Sequence, residues 1–216
     1  MKKVALTASL CLLAMVFAAN SLAAIIGYTG SIQQIMPEPP DLTLNVLESD
    51  QDIRVFDESQ NFTLGDDLYV NHLVTGGGTF YSEAFLSDGY IPQGTEVNSH
   101  LVHFDPTEGK RLSGSITFSE RIIGVIISNG DNELENSDFL GASNFSDENS
   151  RGLGLGWWWH DNFTISDDLK ELTVSLYAST VMDEVRVITA VPIPGTVWLL
   201  GFGIMGLVGI RRRMRK

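Results

Sequence analysis

Between residues 41 and 189 the chain passes through eight short segments rich in β-branched and aromatic residues, each bounded by Gly, Asn, Asp or Pro. They are DLTLNVLE (41–48), DIRVF (52–56), VNSHLVHF (97–104), LSGSITF (112–118), RIIGVIIS (121–128), NFTIS (162–166), KELTVSLYA (170–178) and EVRVIT (184–189). Such segments read as strands, and almost no apolar period of 3.6 competes with them. In ELTVSLYA, Leu172, Val174 and Leu176 alternate with Thr173, Ser175 and Tyr177, the period of a half-buried strand. RIIGVIIS is apolar on both faces, which predicts a central strand. Many strands without helices to support a parallel sheet predict an all-β fold, an antiparallel β-sandwich compatible with jelly-roll connections. The longest expected loops, around 75–78, 128–138 and 147–156, are the natural places for binding on a rigid scaffold.

The two ends of the chain have a different character. Lys2 and Lys3 precede an apolar stretch from Val4 to Ala19, and Ser21, Leu22 and Ala23 place small residues where a signal peptidase reads. Residues 1–23 are therefore expected to be a helical signal peptide, cleaved after Ala23 or alternatively after Ala24. The only cysteine, Cys11, falls inside it, so the mature body has neither disulfides nor thiolate metal sites. At the other end, residues 191–216 carry Val191, Pro192, Ile193, Pro194 and Gly195, then an apolar run over 197–210, then a basic cluster of Arg211, Arg212, Arg213, Arg215 and Lys216. An uncharged run followed by arginines predicts a C-terminal transmembrane helix with the arginines on the cytoplasmic side and the body outside. The run is shorter than the roughly 20 residues of an ordinary span. Gly201, Gly203, Gly206 and Gly209 weaken it further. A removable label fits these features better than a plain single-span anchor.

This tail resembles the PEP-CTERM sorting signal of Gram-negative bacteria, in which a Pro-x-Pro motif, a Gly-rich membrane helix and a terminal Arg cluster are recognised by a membrane-embedded exosortase. Ile193 stands where that family usually has Glu, so the tail is similar to the variant that reads VPxP, and the exosortase subtype is left open. The resemblance implies signal peptidase and exosortase as partners, transient residence in the inner membrane, and delivery to the cell surface or the extracellular polysaccharide matrix of a biofilm. The body also resembles a recurrent group of bacterial exported proteins with similar tails. The similarity lies in LESD (47–50), VFDESQNFTL (55–64), NSHLVHFDP (98–106), LSGSITF with IIGVI behind it, SDFLG (137–141), RGLG (151–154) and DEVRVIT (183–189). That group has no assigned activity, so no catalytic residue carries over.

Setting both ends aside leaves residues 24–190 as the body, a length suited to one domain. All 27 acidic residues lie there against 7 of the 14 basic ones, a balance of −20 with His neutral. Such a surface repels nucleic acid and anionic lipid, so no nucleic-acid partner is expected.

Chemistry-bearing residues are scattered. His100 and His103 lie three apart on an expected strand and should point to opposite faces, whereas a zinc site needs three or four convergent ligands. His72 and His160 are isolated. The acidic loop with Asp131, Glu133, Glu135 and Asp138 offers oxygen ligands for calcium, although it lacks EF-hand spacing and reads equally as a solvated loop. No other cofactor is expected. Trp157, Trp158 and Trp159 form the most distinctive triplet. They read either as a stacking platform for carbohydrate or as rings covering one end of the fold. No Gly-x-Ser-x-Gly, His-Glu-x-x-His or phosphate-binding glycine loop occurs. The expected function is a non-enzymatic, exported structural or adhesive protein. The alternatives are a lectin-like polysaccharide-binding module built on Trp157–Trp159 and a polysaccharide hydrolase acting through surface carboxylates.

Overall fold

Strand follows strand through the body. In chain order they are β1 (Ile25–Gly30), β2 (Ile32–Gln34), β3 (Asp41–Leu42), β4 (Ile53–Asp57), β5 (Phe62–Thr63), β6 (Leu68–Val70), β7 (His72–Leu73) and β8 (Gly78–Phe80). The second half contributes β9 (Gly89–Ile91), β10 (Glu96–Phe104), β11 (Lys110–Phe118), β12 (Ile122–Ile127), β13 (Asn144–Phe145), β14 (Asn162–Ile165), β15 (Glu171–Ala178) and β16 (Asp183–Ala190). Among the described residues one short α-helix, α1 (Glu133–Asn136), and three single-turn 3-10 helices interrupt them. The computed structural model describes residues 24–127, 132–146, 148–155 and 161–191. These residues belong to one unit, Ala23–Val191. The expected signal peptide (1–23), the expected sorting segment from Pro192 onward, Trp157–Trp159, His160 and Asp131 lie outside the described residues. Among the described residues no helix is long and apolar enough to cross a membrane.

The fold is all-β and mainly antiparallel. One sheet has the order β1-β11-β15-β14-β8. The other runs β2-β4-β10-β16-β12-β7, with β5 also paired to β10. Among the described residues only the β2–β4 and the isolated β3–β13 pairings are parallel. The alternation read in ELTVSLYA is realised in β15, where every second residue is buried. Leu172, Val174 and Leu176 join Ile116, Phe118, Phe163 and Ile165 of the same sheet in one apolar cluster. Val102, Phe104, Val125, Ile127, Val185 and Val187 of the other sheet belong to the same cluster. Removing this much apolar surface from water is the main term holding the two sheets.

The second sheet is buried on its other face as well. All but the first residue of β10 and all but the last of β16 are buried, so these strands lack the one-sided pattern of a solvated sheet. Two small apolar clusters cover part of that outer face. Leu42 packs on Phe56 and Leu101 at one end. Leu68, Val70, Ile91, Leu134 and Leu140 pack on Ile126 and Ile188 at the other. Gly124 makes the second cluster feasible: a Cβ there would lie 2.8 Å from Cγ1 of Val70, so only glycine lets the β6–β9 ribbon settle this closely.

The expected strand at 41–48 is corrected to two residues. Asp41 Oδ1 accepts hydrogen bonds from both the backbone N–H (3.0 Å) and the hydroxyl (2.7 Å) of Thr43, Val46 N–H donates to the Thr43 carbonyl, and Asn45 sits at φ 67°. An Asx-type turn with a left-handed Asn ends the strand, overriding the β propensity of the segment.

Candidate functional site

The polar residues that β10 and β16 place on the outer face are not solvated. Because β10 and β16 pair His103 with Glu184 and Leu101 with Arg186, these four side chains share one face. Arg186 is fully buried there. Its Nε and Nη2 donate to the two oxygens of Glu58 at 2.8 and 2.9 Å, and Nη2 also reaches Asp138 Oδ1 at 3.1 Å. Nη1 donates to Ser137 Oγ at 2.5 Å and to the Leu134 carbonyl at 3.1 Å. Arg151 forms a second fork, with Nη1 and Nη2 on Asp138 at 2.7 and 2.9 Å and Nε on Glu184. Glu184 accepts from His103 Nδ1 at 2.8 Å, and Ser99 Oγ donates to Glu58 at 2.5 Å. The Phe145 ring lies 4.8 Å from the Arg151 guanidinium and 5.4 Å from that of Arg186, which adds cation–π attraction.

The ionisation follows from these contacts. Burial pushes the Glu184 carboxyl up, but the His103 hydrogen bond and the Arg151 charge more than reverse this, and it settles below its ordinary value. Burial disfavours the charge on Arg186, yet Glu58 and Asp138 hold its pKa above normal. For Arg151, Glu184 and Asp138 likewise outweigh burial. Asp138 goes the other way: burial outweighs both arginines and raises it. A buried network of this type adds little net stability over an apolar packing, but it admits few alternative geometries. Here it fastens Leu134, Ser137, Asp138 and Arg151 to the sheet at fixed points.

Above the fastened segment lies a cleft of about 350 Å³, lined by Asp67, Leu68, Tyr69, Tyr90, Glu133, Asn136, Ser137 and Phe139. In the β6–β9 ribbon, Tyr69 pairs with Tyr90 and their rings meet edge-on at 5.4 Å. Leu68, Val70 and Ile91 of the same ribbon are buried in the apolar cluster beneath it. Tyr90 is 61% exposed and Phe139 54%, so both rings are displayed rather than packed away. Glu133 is buried, with Oε1 accepting from Asn71 Nδ2 at 3.1 Å.

A second group of carboxyls sits at the start of β16. Asp161 is buried and accepts the N–H groups of Gly154 (2.8 Å) and Tyr177 (2.6 Å). Asp183 is also buried, and its Oδ2 has no hydrogen-bond partner. Burial first, then the Asp161 charge, push the Asp183 carboxyl well above its ordinary value, with Arg111 opposing. Asp183 borders a cavity of about 280 Å³ shared with Glu83, Arg151, Gly152, Leu153, Gly154 and Val181.

Of the sequence-derived calcium candidates, the three that lie among the described residues have separate partners or face solvent. Glu133 turns to Asn71, Glu135 is exposed, and Asp138 gives both oxygens to arginines. Among the described residues no group of three His, Cys, Asp or Glu could hold a metal ion. His100 and His103 do diverge, as their spacing predicts, and both are buried. His100 bonds Asp57 (2.6 Å) and Thr189 (3.1 Å), with its ring 4.8 Å from Phe118. Val191 is partly buried at the end of the described body. The tyrosine cleft and the arginine network were not read from sequence. Their one signal was that Arg151 and Arg186 are two of only seven basic residues in an acidic body. No protein-family model matches the chain, no curated protein matches it, and no solved structure matches it.

Proposed function

We propose that the chain is an exported bacterial protein whose β-sandwich body, residues 24–190, is delivered by an exosortase to the cell surface or extracellular matrix, where its role is structural or adhesive rather than catalytic. The observation that carries this reading is the ordered set of features Pro192, Ile193 and Pro194, an apolar Gly-rich run, then Arg211–Arg213, Arg215 and Lys216. A body without cysteine, held by a shared apolar cluster and a buried ionic network, suits a scaffold working where no disulfide supports it. Cell fractionation tests the reading. In cells with an active exosortase, the surface or matrix fraction should contain a protein whose intact mass lacks both ends. Full-length protein persisting in the inner membrane of those cells would refute it.

A lectin-like role is favoured by one observation, the cleft that displays Tyr90 and Phe139 beside Glu133 and Asp67. For the hydrolase alternative, the Asp161–Asp183 pair among the described residues is buried rather than on the surface, and Asp161 is committed to two backbone N–H groups. Turnover of the organism's own exopolysaccharide, lost in Asp183→Asn, would establish that alternative over the adhesive reading.

A further inference from the structure

The β6–β9 cleft combines three aromatic rings with two carboxylates, and the arrangement is built rather than incidental. Glu133 is 7% exposed, and its orientation is set by Asn71, itself 2% exposed. Asn71 Oδ1 in turn accepts the N–H of Ile127 at 2.8 Å, which ties the carboxylate through one buried amide to β12. On the rim, Asp67 Oδ1 is fixed by the N–H of Gln93 at 2.8 Å. The opposite wall, Asn136 to Phe139, is held from beneath by Arg186 on Ser137 and Asp138. Phe139 rests against Phe62 with centroids 5.8 Å apart. A few oriented polar groups among aromatic side chains are the usual make-up of a small-molecule pocket, and about 350 Å³ lies at the small end of the range for such pockets, which runs from roughly 300 to 1,000 Å³.

The lining chooses the ligand. Exposed tyrosine and phenylalanine rings offer broad apolar faces for a partner that is apolar on one side and polar at its edge. A pyranose ring has this form: axial C–H groups on a face, hydroxyls around the rim. Asp67 and Glu133 accept from hydroxyl or ammonium donors, and together with a body charge of −20 they repel carboxylate and sulfate substituents. We infer that the Tyr69–Tyr90–Phe139 cleft binds a single sugar residue, neutral or aminated, and rejects uronic acids. The inference rests on the adhesive reading above and gives it a ligand class. Sorting is scored by fractionation and sugar binding on purified protein, so either can fail alone.

The test is ligand-observed saturation-transfer NMR on the full-length chain in a detergent without a sugar headgroup, with methyl β-glucoside, glucosamine and glucuronate as probes. The first two should receive transfer, glucosamine with the lower Kd, and glucuronate should receive none. Tyr90→Ala should raise Kd at least about tenfold, the equivalent of one lost stacking contact, while Tyr90→Phe keeps binding. Glu133→Gln should remove the preference for glucosamine. Tyr28→Ala, which alters a ring 48% exposed on β1 of the other sheet, should change nothing. If Tyr90→Ala loses its cooperative unfolding transition, Phe139→Ala carries the same expectation. Absence of transfer to both sugars, transfer to glucuronate equal to glucosamine, or unchanged Kd in the ring variants would overturn the inference.

Discussion

The two faces of the β10–β16 sheet are both buried, yet they are buried in opposite ways. The inner face meets the other sheet with Val102, Phe104, Val185 and Val187, side chains that ask only for volume and absence of water. The outer face meets a loop-rich cover with His103, Glu184 and Arg186, which are satisfied only by particular partners at particular distances. An apolar face tolerates regrading of its contacts, because exchanging one hydrocarbon for another changes energy in small steps. An ionic face does not, because removing one partner leaves another charge buried without compensation. The inner face therefore supplies stability, and the outer face supplies the exact placement of the segment that walls the tyrosine cleft.

The sharpest way to break this contrast is Arg186→Met. It strands Glu58, whose two oxygens both face Arg186, and should cost about 3–5 kcal/mol in urea unfolding. Adding Glu58→Gln should restore part of that loss, since the buried charge goes with its partner. On the inner face, Ile127→Val should cost only about 0.5–1.5 kcal/mol, the ordinary result of deleting one methylene. A loss in Arg186→Met no larger than that of Ile127→Val would erase the distinction.

Neighbouring carboxyls on β16 sharpen the contrast by pH. Asp183 is raised above 3.8, so its protonated form is stabilised in the fold: its contribution is complete below 3.8 and is lost as pH rises through the folded value. Glu184 is held below 4.5, so its contribution is complete above 4.5 and is lost as pH falls through the folded value. Urea unfolding from pH 4 to 8 should then show Asp183→Asn gaining stability over the wild type toward neutral pH. Glu184→Gln should be less stable than the wild type above pH 4.5, by an amount that does not change toward neutral pH. Parallel profiles for the two variants would contradict the assignment. The smallest expected effect is that of calcium: with Asp138 committed to two arginines, titration should leave the thermal midpoint of the body unchanged, and a saturable rise would show the acidic loop acting as a site.

Much of the inner face was readable in advance. On the sheet opposite, the alternation in ELTVSLYA is a period of two that survives in the sequence whatever packs against it, and the doubly apolar RIIGVII and the strand at 97–104 are legible from their β-branched and aromatic content. The ribbon strands of two or three residues were missed because a period needs several repeats to be seen, and β6 and β9 offer one and a half. The strand over 41–48 failed for a local reason: Asp41 and Asn45 carry turn chemistry that outweighs Leu42, Leu44 and Val46. The ionic face left almost no trace, since Glu58, His103, Asp138, Arg151, Glu184 and Arg186 are spread over 129 positions and each looks like an ordinary surface residue alone. Likewise, Glu133 and Asp138 read as one acidic loop, yet the fold sends the first to Asn71 and the second to the arginines.

Hydrogen exchange of residues 132–146 in the wild type and in Arg186→Met/Glu58→Gln tests most directly whether the ionic face positions the wall of the cleft. The account predicts that amides such as those of Ser137, Leu140 and Gly141, bonded within this segment in the intact fold, lose protection in the variant while those of β10 and β16 keep theirs. Equal protection of the segment in both proteins would mean that apolar contacts of Leu134 and Leu140 alone hold the cover, and the central claim would fail.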